Sequence, residues 1–190
     1  MAHLDHIWAG WRSEFVTGAA SGAHGGAGLP AAELAGTPGA AAQASSGCVF
    51  CDILASGLPD EELNIVWRHP SAEVVVILNA YPYTSGHLMA MPSRHVGELE
   101  QLSPGEASAM WEAMTLGVKA LKAAYDPGGI NIGANLGRAA GAGVPGHFHM
   151  HMLPRWMGDT NFMTAVADAR VLPEALSESR RKLLGAWPQL

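Results

Sequence analysis

Charge is scarce in this chain of 190 residues: 11 Lys and Arg against 17 Asp and Glu leave a net charge of −6. No basic patch is available to displace counterions from a phosphate backbone, so no nucleic-acid partner is expected. Nor is there a stretch of the roughly 18 to 20 apolar residues that a membrane span needs. The opening MAHLDHIWAGWRSEF carries acids and no uninterrupted apolar segment, so it is not expected to act as a secretory signal, and a cytoplasmic location is expected. Cysteine is nearly absent too. The two that occur, Cys48 and Cys51, share the segment CVFC. That spacing marks half of a metal site or a redox dithiol, with ordinary buried thiols as the third reading; a disulfide there would close only a tiny loop.

What is abundant is apolar side chain, at 48% of residues, enough for one domain with a core of its own. It is unevenly spread. Residues 16–47 are mostly Gly, Ala, Ser and Pro, with Glu33 as the one acid and no Lys or Arg, which reads as a flexible insertion. Residues 1–15 ahead of it hold Trp8, Trp11 and Phe15 in a short amphipathic helical segment. The compact domain is expected over 48–165, with 166–190 as a helical extension.

Within that domain VVVILN at 74–79 reads as a buried strand, AYPYTSG as a turn, and HLMAMPS at 87–93 as the returning strand. Ser103, Pro104 and Glu106 spell a helix start with a capping box, and Trp111, Met114, Val118 and Leu121 are spaced for one buried face. DPGG at 126–129 stops the helix, and INIGAN at 130–135 is a third strand. The last helix begins at Pro173, with Leu176, Leu183 and Trp187 as packing residues. Strand, strand, long helix, strand, strand, helix, with no βαβ repeat, predicts an α+β fold on an antiparallel sheet.

The fourth strand is GHFHMHMLPRW, 146–156. Alternation puts His147, His149 and His151 on one face and Phe148, Met150 and Met152 on the other. Three buried histidines satisfied only by hydrogen bonds are one reading of such a row. A single metal held by all three is opposed by geometry, since backbones four residues apart on a strand are about 13 Å apart. Zinc draws its nitrogen ligands to about 2.0–2.1 Å. The three rings must therefore divide their labour.

HFHMHML resembles the motif of the histidine triad superfamily of nucleotide-binding proteins, and ILNAYPYTSGHLMAMPSRH and INIGANLG resemble its upstream blocks. The resemblance covers about residues 48–165. The IWAGWR start and the PRWMGDTNFM tail are most similar to the branch of diadenosine polyphosphate phosphorylases and related adenylyltransferases. It implies His149 as nucleophile, forming a nucleotidyl-histidine intermediate, with His151 and His87 on phosphate oxygens. A neutral imidazole offers the lone pair this needs. It also implies nucleoside or phosphate contacts at Asn79, a leaving-group contact at Asn135, and backbone N–H groups of the 137–146 loop around phosphate.

The same resemblance gives CVFC a use. Related proteins bind structural zinc through two CxxC cysteines and two histidines, which here are Cys48, Cys51, His95 and His147, a closed tetrahedral set. The resemblance implies no organic cofactor and implies a homodimer, and an exposed sheet edge also favours pairing. The chain departs from the pattern at Gly143 and Val144, where many relatives carry a hydrogen-bonding Gln, Ser or Thr. A lost donor of that kind costs about a hundredfold or more in rate. Trp156, Asn161 and Phe162 follow the triad, either as packing residues or, in the case of Trp156, as a base-stacking surface.

The reading that results is phosphorolysis of dinucleoside polyphosphates, with nucleotide and inorganic phosphate as partners. The alternatives are a hydrolase of dinucleoside polyphosphates or nucleoside phosphoramidates, and a zinc-stabilised nucleotide-binding scaffold with little turnover.

Overall fold

The computed structural model describes residues 46–159 and 173–189. The expected N-terminal helix and Gly/Ala-rich insertion, up to residue 45, lie outside the described residues, as do Asn161 and Phe162.

A helix α1 (Val49–Ala55) opens the described chain directly after Cys48, and β1 (Ile65–Arg68) follows. Neither is legible as an element in the sequence: α1 lacks a side-chain N-cap and β1 is only four residues long. Next come β2 (Val74–Leu78), β3 (Leu88–Pro92), α2 (Pro104–Tyr125), β4 (Gly129–Gly133), β5 (Met150–Arg155) and α3 (Leu176–Ala186). The five strands form one sheet in the order β1-β2-β3-β5-β4, with every neighbouring pair antiparallel. The expected α+β fold on an antiparallel sheet is the fold observed. No helix among the described residues is long and apolar enough to cross a membrane.

The centre of the sheet is apolar on both faces, which is why β2 and β3 read as continuous apolar runs rather than alternating ones. Val74, Val76, Leu78, Leu88 and Ala90 face α2 and α3, while Val75, Ile77, Met89 and Met91 face α1. Each fully buried side chain of this size contributes about 1.5–3 kcal/mol. Phe148, Met150 and Met152 join the helix-side core, so the histidines between them turn to the α1 side.

The start of α2 is built as its residues dictate: Ser103 Oγ accepts from the Glu106 N–H, and the Glu106 carboxylate accepts from the Ser103 N–H. Asp126, in the left-handed region at φ 43°, ends it. The buried stripe of α2 differs from the expected one. Met114 and Leu121 are buried, but Trp111 is 63% exposed, and the stripe is completed by Met110, Ala113, Gly117 and Ala120. Small residues win that face because the helix lies close to the sheet. A Cβ on Gly117 would stand 2.6 Å from the Met152 sulfur.

Candidate functional site

The hydrogen-bonded ladder of β5 begins only at Met150, which pairs with Ala90, so His147 and His149 precede it on the incoming chain. The alternation of faces nevertheless holds. Phe148 N–H donates to the Val96 carbonyl at 2.6 Å, fixing this approach to the loop after β3. All three triad histidines and His87 are buried.

Each ring has its tautomer set by a partner that can act in only one way. Nδ1–H of His149 donates to the carbonyl oxygen of His147 at 2.8 Å, which leaves the His149 Nε2 lone pair bare. Nε2–H of His147 donates to the Pro92 carbonyl at 2.9 Å, which leaves its Nδ1 bare. At His87, Nδ1 receives the backbone N–H of Tyr83 at 3.2 Å and Asn79 Nδ2 at 3.3 Å. A backbone N–H can only donate, so the His87 proton sits on Nε2 and points to His151 Nδ1, 2.9 Å away. His151 therefore carries its own proton on Nε2, a buried atom with no hydrogen-bond partner among the described residues. Burial, and then the neighbouring His149, push the His151 imidazole down to about 4. It is neutral at pH 7 and holds a donor ready for an incoming acceptor.

The first histidine faces the other way. Its bare Nδ1 lies 3.4 Å from Cys48 Sγ and 3.6 Å from Cys51 Sγ, and Cys51 Sγ lies 3.2 Å from His95 Nδ1. The four candidate ligand atoms fall within 4.8 Å of one another. A tetrahedral zinc site with bonds of about 2.0–2.3 Å separates its donor atoms by roughly 3.3–3.8 Å, so this cluster fits a metal of that size. Burial also lowers the His147 pKa, which favours the neutral ring a metal requires. His95 is held near the others by its neighbour Arg94, whose guanidinium grips Glu106 at 2.7 and 2.9 Å and the Gln101 carbonyl at 2.9 Å.

The remaining expected residues spread along the rim. Asn79 sits in the β2–β3 turn and accepts the Tyr81 N–H on its side-chain oxygen at 2.9 Å. Asn135, Gly143 and Val144 lie on the loop between β4 and β5. There Asn135 Nδ2 is 3.5 Å from the Gly141 carbonyl, and Val144 packs on the α1-side core. Trp156, just past β5, is half-buried with its ring edge-on to Tyr125 at 6.2 Å. Three contributors escape sequence reading: the Pro92 carbonyl, Phe50 edge-on to His147 and His149 at 5.4 and 5.2 Å, and the Tyr83 ring over His87. Phe50 lies inside CVFC and Tyr83 between Asn79 and His87, so proximity to the motifs was the one signal for them.

A HIT domain model matches residues 65–157, from β1 through β5. The AP-4-A phosphorylase of Mycobacterium tuberculosis is 40% identical over 130 residues, covering 68% of this chain and 66% of its own length. The chain thus spans just under two thirds of that relative. An uncharacterized HIT-like protein of the same organism is 31% identical over 115 residues, 59% of this chain and 74% of that protein. Among solved structures, a Zn-bound histidine triad family protein from Mycobacterium smegmatis is 29% identical with a TM-score of 0.59, covering 74% of this chain and 92% of that one. A HIT family protein from Bacillus anthracis is also 29% identical, with a TM-score of 0.53 over 60% of this chain and 77% of that one. In sheet order, in the row of histidines and in sequence, this chain belongs to the histidine triad (HIT) family.

Proposed function

We propose that the chain is a nucleotidyltransferase that cleaves dinucleoside polyphosphates of the diadenosine tetraphosphate kind by phosphorolysis. The observation that carries this reading is the tautomer of His149, whose Nδ1–H is tied to the His147 carbonyl so that Nε2 is a nucleophile. The 40% identity to an AP-4-A phosphorylase supports the substrate class.

In this reading His149 Nε2 attacks the α-phosphorus. The bond from that phosphorus to the bridging oxygen breaks, and ATP leaves with the electron pair. The AMP left on His149 is then taken by an oxygen of inorganic phosphate, giving ADP and restoring the imidazole. The carbonyl on Nδ1–H steadies the ring while it carries the nucleotide. His151 Nε2–H donates to a phosphate oxygen, and His87 acts through His151. With Gly143 and Val144 lacking side-chain donors, backbone N–H groups of the 137–146 loop and Asn135 supply the remaining contacts. No step calls for an organic cofactor.

Cys48, Cys51, His95 and His147 are the residues that would hold zinc, supported by their donor chemistry, their spacing and the Zn-bound relative from M. smegmatis. Such an ion, closed off by four protein ligands, would brace the site rather than touch substrate. The catalytic unit in this reading is 48–165, with 166–190 as its extension. The exposed edge strand β4, with Ile132 outward, supports pairing of two chains, which sedimentation of the purified protein tests. A cytoplasmic location belongs to the same reading.

The test is product analysis with diadenosine tetraphosphate, with and without inorganic phosphate. ATP with ADP, formed only when phosphate is present, supports phosphorolysis. ATP with AMP in both tubes makes water the acceptor and the protein a hydrolase. No consumption in either tube overturns the substrate class.

A further inference from the structure

Tyr83 has no part in the reaction described above, yet it touches both members of the His87–His151 pair. The turn between β2 and β3 lays its ring against the two imidazoles. The centroid is 4.7 Å from that of His87, tilted by 43°, and 6.2 Å from that of His151, with ring planes 29° apart. The tyrosine is 44% exposed, while His87 and His151 are 0% and 7% exposed. The half-exposed ring thus lies between the buried pair and the surface. The backbone of the same residue supplies a second contact, the N–H at 3.2 Å from His87 Nδ1. That one-way donor starts a chain of hydrogen bonds that ends on Nε2 of His151, which has no partner among the described residues.

We propose that Tyr83 is a positioning residue of this site: its backbone N–H sets the direction of the His87–His151 relay and its ring keeps the relay dry, so that His151 presents Nε2–H to the reacting phosphate. The phosphate rests on the function proposed above. The direction of the relay is a property of the fold and is readable without turnover.

The relay tolerates one protonation state. A second proton on His151 would place Nδ1–H against the Nε2–H of His87, two donors 2.9 Å apart with no acceptor between them. Among the described residues, the titratable groups facing His151 are His87 at the start of β3, His149 on its own chain, and the Tyr83 phenol on the turn. β4 brings Gly133 opposite it, which has no side chain to contribute. Solvent access is therefore the main control on charge here, in line with burial as the first cause of the lowered His151 pKa. Removing the ring admits water, and His151 should take up its proton at higher pH.

The experiment compares the full-length wild type, Tyr83→Ala and Tyr83→Phe by two readouts. One is the NMR titration of the His151 imidazole without substrate. The other is the pH dependence of kcat/KM for diadenosine tetraphosphate. In Tyr83→Ala the His151 midpoint should rise by about one pH unit or more, and the acid limb of kcat/KM should rise with it. Tyr83→Phe keeps the ring and should match wild type in both. An alanine variant that titrates like wild type overturns the proposal, as does a phenylalanine variant that behaves like alanine. Nitrogen shifts of the wild type test it without any variant: Nδ1–H on either His87 or His151 would overturn it. A shifted midpoint in a protein that consumes no diadenosine tetraphosphate upholds the relay and overturns the proposed substrate instead.

Discussion

His147 and His149 are joined by one hydrogen bond, from the Nδ1–H of His149 to the carbonyl oxygen of His147 at 2.8 Å. The same His147 turns its ring to Cys48, Cys51 and His95. One residue thus contributes its side chain to the candidate metal cluster and its backbone to the proposed nucleophile. Whatever fixes the His147 ring also fixes the carbonyl that aims His149.

Replacing the proposed nucleophile is the most direct check. His149→Ala should lower turnover of diadenosine tetraphosphate by at least about a thousandfold, because in the proposed mechanism the nucleotide is carried on His149. Acid-quenched protein from a brief reaction with labelled substrate should hold label on the wild type and none on the variant.

Cys48→Ser and Cys51→Ser test the cluster. Elemental analysis of wild type should find about one zinc per chain, and each variant should retain well under half of that. Loss of a structural metal belongs with the large destabilisations, about 4 kcal/mol or more, which is about 8–16 °C in Tm for a domain of this size. kcat should fall more than KM rises, since His149 loses its aim rather than the substrate its contacts. Equal thermal melting with and without chelator would sink the assignment.

Acid should act in two windows. His151 has a folded pKa of about 4, below its ordinary 6.5, so the unfolded chain binds the extra proton first and stability falls as pH drops from about 6.5 to 4. The Glu106 carboxyl is held down to about 2, first by the Arg94 guanidinium and then by the Ser103 N–H. Its contribution is whole above about 4.5 and is lost as pH falls toward 2. Glu106→Gln should cost about 1–2 kcal/mol at pH 7 through the cap and the charged bond, and should flatten the lower window. Urea midpoints across pH for wild type, Glu106→Gln and His151→Gln would resolve the two.

Gly86→Ala should damage both fold and site. Gly86 has φ +77°, and a Cβ there would sit 2.7 Å from Tyr125 Cε2. Left-handed backbone and overpacking together cost about 2–4 kcal/mol. The strain falls on the residue before His87, so kcat/KM should drop along with Tm. Wild-type kinetics from this variant at low temperature would show that the turn has room to spare.

Much of this protein is written locally. Alternation of His147, His149 and His151 with apolar residues, the Ser103–Glu106 cap, the uninterrupted apolar runs of β2 and β3 and the CVFC spacing are all relations between near neighbours. Near neighbours share a period or a turn, so the sequence alone determined the strands β2 and β3, the long helix and the facing of the triad. Only the tertiary structure decided what each histidine can do. The His147 tautomer depends on a carbonyl at Pro92, 55 residues away, and the His151 tautomer on a turn reached through His87, 64 residues away. It also decided that Trp111 stays outside while Gly117 meets Met152, because the gap between helix and sheet is set by the whole core. A proton on one ring nitrogen rather than the other has no sequence signature. It follows from which donor or acceptor the folded chain places against each ring.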